Sequence, residues 1–196
     1  SSFAADKAFQ RDDLADAAIK LEAQIKQDAG DVAKPVATLR RDADAALDKR
    51  DYKAGLTALS QIAAVQPKNG ANWLRLARTI LQVVPKDGSE RTSLLERAST
   101  AAYLAYQNAG NGNEEAESLA LLSRTFADRR LWRPALDTLR LSLDQREVAD
   151  VRALYEQMRN THGFRILDYS VDSDSASPRI CFQFSEELPS KRMDFS

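Results

Sequence analysis

At 196 residues and 21.8 kDa, with 43% apolar and 29% charged residues, the chain has room for one sizeable domain with a real core, and its composition is far from that of a disordered segment. Its 28 Lys and Arg nearly balance 29 Asp and Glu, so no long-range field of one sign draws in nucleic acid or an anionic membrane. No apolar run is long enough for a bilayer span, and one cysteine with one histidine excludes an internal disulfide, a CxxC pair and a four-ligand zinc site.

Leu14, Ala18, Leu21 and Ile25 recur at helical spacing and predict an amphipathic helix over 9–29, favoured in its first turn by Asp12 or Asp13 and stopped by Gly30. Its apolar stripe must be covered by the next helix pair or by a partner. Pro35 suits the first turn of a second helix, whose stripe is Val36, Leu39, Ala43, Ala46 and Leu47, and a polar turn over 48–51 ends it. The stretch DYKAGLTALSQIAAVQP then runs back, offering Tyr52, Leu56, Leu59, Ile62 and Val65. Gly55 stands where alanine would favour the helix by about 1 kcal/mol. Close approach of the facing helix is the physical reason for a glycine there.

After a turn over 67–70, a helix over 71–84 carries Trp73, Leu76, Ala77 and Ile80. At an offset of 34 residues Leu39 meets Trp73, Ala43 meets Ala77 and Leu47 meets Leu81, the mark of stacked helix pairs. Pro85, Asp87 and Gly88 break the run before a longer helix over 89–109, with a polar start at Ser89 and Glu90 and a stripe through Ala98, Ala101, Ala102, Ala105 and Tyr106. NAGNGN, residues 108–113, reads as an exposed connector, without the preceding strand and the Lys-Ser/Thr of a phosphate cradle. Helices over 115–128 and 131–143 follow. Aligning Trp132 with Tyr52 sets Ala135 on Gly55, Leu136 on Leu56 and Leu139 on Leu59. Trp73 and Trp132, both on apolar stripes, are expected to pack between helices. A last helix over 147–159 ends at His162-Gly163, where the imidazole can face the terminal carbonyls.

From Phe164 the period changes to two. A strand through Val171, a loop DSDSASP and a second strand with Ile180, Phe182 and Phe184 follow, and two strands cannot form a core alone. The segment 164–196 therefore reads as the opening of a β-domain, with a hairpin laid on the helices as the other arrangement. Asp172 and Asp174 belong to a solvated loop rather than a cation site. Cys181 faces away from Ile180 and Phe182, either half-buried against a further sheet or free to pair outside the chain. The expected fold is mainly α: an N-terminal helix over 1–34, a right-handed stack of antiparallel helical hairpins over 35–163, and two strands of an incomplete β-domain over 164–196. No nucleophile elbow, phosphate loop, HExxH or calcium loop occurs, so neither a catalytic residue nor a cofactor is expected. The surface made by the first helix of each pair is the preferred place for a protein partner, which nominates Asn72, Arg75, Arg78, Ser118 and Thr125.

The segments 36–69, 70–110 and 116–146 resemble tetratricopeptide repeats. Leu39, Asp42, Ala43, Ala46, Tyr52, Gly55, Leu59, Ile62 and Pro67 stand at signature positions of the first, and Trp73, Leu76 and Ala77 open the second. Gly55 replaces the usual alanine, and the third unit lacks a closing proline. FQRDDLADAAIKLE, NWLRLARTIL, LLSRTFADRRLWRPALDTLRLSL and GFRILDYSVDSDSASPRICFQFSEEL together resemble the amino-terminal portion of large bacterial alpha-2-macroglobulin-like proteins. That resemblance implies a periplasmic location, a following string of β-domains and a whole protein that traps proteases. It implies for this part a non-catalytic role in docking a partner or positioning later domains, since neither a thioester motif nor a bait region is present. The alternative is a free-standing, cytoplasmic tetratricopeptide-type adaptor that binds a peptide or protein in its concave groove. SSFAADKAFQ has no basic, then apolar, leader, which suits either a cytoplasmic chain or the first residues of a processed one.

Overall fold

The computed structural model describes residues 7–163, 166–172 and 179–184. Among them stand helices α1 (Asp12–Ala29), α2 (Val36–Asp48), α3 (Tyr52–Val65), α4 (Gly70–Ile80), α5 (Gly88–Gln107), α6 (Gly112–Asp128), α7 (Trp132–Gln145) and α8 (Ala149–His162), then strands β1 (Ile166–Asp172) and β2 (Arg179–Phe184). The protein is mainly helical with a small two-stranded antiparallel sheet.

Neighbours in sequence are neighbours in space. Helix α2 packs on α3, α4 on α5 and α6 on α7, while α3 on α4 and α5 on α6 join one pair to the next. Helix α1 lies across α3 and α5, and α8 lies on α7. The stripes read from helical spacing turn inward: Leu39 and Ala43, Leu59 and Ile62, Trp73, Leu76, Ala77 and Ile80, Leu119, Leu122 and Phe126, Ala135 and Leu139 are all buried. Each buried Leu or Ile is worth about 1.5–3 kcal/mol relative to exposure. Helix α3 departs from its expected stripe. Val65 is 43% exposed and Tyr52 and Leu56 are half-buried, whereas Ala58 and Ala63 are covered. The cause is that α3 touches α1, α2 and α4, so a wider arc is buried and small side chains let three neighbours approach.

The helix ends follow side-chain capping more closely than apolar spacing. Asp51 caps α3 by accepting from the Ala54 amide at 3.0 Å, and Asn69 caps α4 by accepting from Asn72 at 3.2 Å. Asp87, not Ser89, caps α5, accepting from Glu90 N at 2.8 Å while the Glu90 carboxylate accepts from Lys86 N at 2.6 Å. The same exchange opens α6, where Asn111 accepts from Glu114 N at 3.0 Å and Glu114 accepts from Gly110 N at 2.8 Å. Gly112 and Asn113, expected in an exposed connector, are thus the first turn of a helix. Helix α4 stops at Ile80 rather than continuing to 84, α8 runs on to His162, and α1 begins at Asp12 without a side-chain cap and ends at Gly30 with φ 54°. Phe9 lies outside the helix.

The turns between α2 and α3 and between α6 and α7 are built alike. Arg50 and Arg130 take positive φ, 58° and 60°. Asp51 N donates to Ala46 O and Arg50 N to Leu47 O, both at 2.9 Å, and Leu131 N to Phe126 O and Arg130 N to Ala127 O repeat those bonds at 2.9 Å. This is a Schellman closure with arginine where glycine is usual. Gly55 and Ala135 stand at the same depth in the helices that follow, both buried. A Cβ on Gly55 would come within 2.7 Å of Leu47 Cδ2, the close approach that a glycine in mid-helix implies.

β1 and β2 pair antiparallel, with Tyr169 opposite Phe182, Ser170 opposite Cys181 and Val171 opposite Ile180, and a register irregularity between Ile166 and Asp168. The expected loop at Asp174 and the strand residues Phe164 and Arg165 lie outside the described residues.

Candidate functional site

Helix α4 presents two of the five nominated residues to solvent, and each is engaged by a different helix. Arg75 forms an ion pair with Asp44 of α2, and Arg78 reaches Glu117 of α6 at 2.8 Å. Both pairs are more than a third exposed, so each contributes at most about 1 kcal/mol. Their significance is geometric: one face of α4 reaches α2 through Arg75 and α6 through Arg78.

The other three nominated residues face inward. Asn72 is 9% exposed and its Nδ2 donates to Gln66 Oε1 at 3.0 Å, bracing the turn between α3 and α4. Thr125 is fully buried and its Oγ1 donates to Leu122 O at 2.7 Å. Ser118 is 1% exposed and its hydroxyl has no hydrogen-bond partner. The structure therefore brings Arg75 and Arg78 to one accessible face and puts Asn72, Ser118 and Thr125 beneath it. The usable surface is charged, with Asp44 and Glu117 as its acidic members. Interhelix spacing could have nominated Asp44 and Glu117 only with the α4 contacts already known.

The two tryptophans part company. Trp73 is fully buried and its Nε1 donates to Pro67 O at 2.8 Å, which gives the indole N–H the partner that burial demands. Trp132 is half-buried at the start of α7, and its ring lies flat on His162, centroids 3.6 Å apart with 3° between planes. The sequence points His162 at the carbonyls ending α8; its described contact is this stack, because α8 packs back on α7.

Cys181 is exposed with a free thiol, on the face of the sheet away from Ile180 and Phe182. The opposite face carries Val171 at 58% and Ile180 at 61% exposure, beside Tyr169 and Phe182. Among the described residues no group of three or more His, Cys, Asp or Glu is placed to hold a metal ion, and no helix is long and apolar enough to cross a membrane. No protein-family model matches the chain, and no curated protein matches it either.

Proposed function

We propose that this chain is a non-catalytic interaction or domain-positioning module, a tetratricopeptide-like stack of antiparallel helical hairpins within a periplasmic alpha-2-macroglobulin-like protein. The observation that carries the scaffold reading is the duplicated hairpin: the left-handed arginine, its two Schellman hydrogen bonds and the buried small residue recur in the α2–α3 and α6–α7 units. Repetition of a turn down to its hydrogen bonds is what stacked, internally similar units produce, since each unit covers its neighbour's open face. The α4 face bridged to α2 and α6 supports a continuous surface along the first helices.

The envelope reading rests on the resemblance of sequence segments spread from Phe9 to the last strand. The apolar face of the β1–β2 pair, with Val171 and Ile180 open to solvent, supports a continuing β-structure that would cover it. The partner in that reading is protein: another part of the same polypeptide, or a second protein docked on the helices.

The test is to raise antibodies against residues 7–163 and to fractionate the native cells. A periplasmic species far larger than the 21.8 kDa of this chain is the expected result. A cytoplasmic species of this chain's own mass would overturn the envelope reading and leave the free-standing adaptor.

A further inference from the structure

Two asparagines of this chain stand directly before a glycine, Asn69-Gly70 and Asn111-Gly112, and each caps a helix. That pairing carries a latent reaction. A glycine nitrogen, with no Cβ on its own residue to shield it, can attack the side-chain carbonyl of the asparagine before it and close a cyclic imide. Asn69 Oδ1 accepts from Asn72 N at 3.2 Å and Asn111 Oδ1 from Glu114 N at 3.0 Å, so at both sites a helix N-terminus faces the oxygen on which charge gathers during the attack. The electrophiles are therefore alike, and the two nucleophiles decide between the sites.

Gly70 is buried, and its N–H donates to Asn108 O at 3.1 Å. It is wedged against the end of α5, where a Cβ would lie 2.6 Å from Ala105 O. Its nitrogen cannot swing toward Asn69 without breaking that hydrogen bond and shifting two helix ends. Gly112 is exposed, as is Asn111, and among the described residues its N–H has no hydrogen-bond acceptor. A Cβ there would meet only the tip of the Gln145 side chain, at 3.4 Å. Turning the Asn111–Gly112 peptide therefore opens the cap of α6 and disturbs no tertiary contact, and helix ends are among the first parts of a fold to open.

We propose that Asn111 is a site of self-modification, a slow deamidation with Gly112 as nucleophile and water as the only co-reactant, and that the fold withholds Asn69 from the same reaction. The Gly112 nitrogen gives its proton to solvent and bonds to Asn111 Cγ; the Cγ–Nδ2 bond breaks, and ammonia leaves after taking a proton from water. Water then opens the imide. Breaking the bond from Gly112 N to Cγ gives aspartate, and breaking the bond from Gly112 N to the main-chain carbonyl carbon gives isoaspartate, with the chain running on through the former side chain. No electron is gained or lost. Either product lacks the Nδ2 that donates to Glu114 Oε1 at 3.2 Å, and either adds a negative charge beside the carboxylate that accepts from Gly110 N at 2.8 Å. The first turn of α6 loosens, next to Ala116, whose carbonyl accepts from Ser142 Oγ and ties α6 to α7. The inference does not rest on what the helical stack binds.

The test is to incubate the full chain in mildly alkaline buffer, digest samples taken over time, and place each amide turned carboxylate by tandem mass spectrometry. Asn111 is expected to convert at least about tenfold faster than Asn69, a difference in barrier of about 1.4 kcal/mol. In urea that unfolds the chain the two rates are expected to converge, because both asparagines precede glycine and only the fold tells them apart. Hydrogen exchange on the converted chain is expected to show lost protection at the start of α6. Equal rates at the two sites of the folded chain overturn the proposal. So does an Asn111 that stays intact while the unfolded chain reacts there, a preference for Asn111 that persists in urea, or unchanged protection of α6 after conversion.

Discussion

Arg50 and Arg130 hold the same left-handed backbone, φ 58° and 60°, each just ahead of the second helix of its pair. A side chain with a Cβ costs roughly 1–2 kcal/mol in that conformation, and glycine removes the cost. Both arginines are exposed. Arg50→Gly and Arg130→Gly are expected each to stabilise the protein by about 0.5–1 kcal/mol, less than the full strain because glycine also loosens the unfolded chain. Urea unfolding should show a higher midpoint at unchanged slope. A lower midpoint for both would mean that the arginine side chains, not the backbone, govern these turns.

The two glycines that sit against other helices separate rigid from yielding contacts. A Cβ on Gly70 would stand 2.6 Å from Ala105 O and 2.8 Å from Asn108 C and O, all backbone of the end of α5. Gly70 N also donates to Asn108 O at 3.1 Å, so the two helix ends are tied where the clash would fall. Gly70→Ala is expected to cost about 1–3 kcal/mol. Gly55→Ala meets only the Leu47 side chain, which can turn aside, and gains about 1 kcal/mol of helix propensity, so it is expected to lie near neutral. Thermal midpoints of the two variants check the contrast.

Three buried serines are expected to answer differently to removal of a hydroxyl. Ser123 Oγ donates to Ala135 O and Ser142 Oγ to Ala116 O, both at 2.7 Å, so α6 and α7 are tied reciprocally, one bond from each helix. Ser123→Ala and Ser142→Ala are each expected to cost about 1 kcal/mol. Ser118 has no partner for its buried hydroxyl, and Ser118→Ala is expected to be neutral or to stabilise by up to about 1 kcal/mol. Equal losses at all three positions in denaturant titrations would contradict this.

Acid and alkali are expected to loosen the contacts around the N-terminal segment by opposite routes. The Arg11 hydrogen bond holds the Asp13 carboxyl below its ordinary value, so that contribution is present above the unfolded carboxylate pKa and is lost as pH falls through the lower folded value. Burial pushes the Tyr103 and Tyr106 phenols above 10.0. Their contribution is present below the unfolded value and is lost as pH rises through the raised folded one. Absorbance at the phenolate band should show these two tyrosines ionising above the ordinary phenol value, and Phe9→Ala should bring Tyr106 back toward 10.0. An unchanged Tyr106 titration in that variant would show that Phe9 does not cover the phenol.

Helical periodicity decided which face of each helix is apolar, and so the residues of most helices and much of the core were legible: Leu39 and Ala43, Trp73, Leu76, Ala77 and Ile80, and Leu119, Leu122 and Phe126 turn inward as their spacing implies. The change to period two likewise located β1 and β2. Polarity did not disclose exposure for the small hydroxyl residues. Thr79, Ser99 and Thr100 donate to the carbonyl four residues back, and Thr125 to the one three back, so a helix can carry them into the core with their hydrogen bonds already made. That is why Thr125, nominated as a surface residue, lies inside.

Which side chain of one helix meets which of another was the work of tertiary structure alone. Phe9 lies within a helical pattern in the sequence, yet it stands ahead of α1, where Tyr103 and Tyr106 of α5 and Phe126 of α6 hold its ring, because burying a phenyl ring among three aromatic neighbours outweighs one more helical turn. Arg50 and Arg130 were ordinary as letters, and only the path between packed helices required their left-handed turn. A sequence records what each residue prefers against water and its near neighbours along the chain; which distant side chain completes a box, an ion pair or a turn is settled when the helices meet.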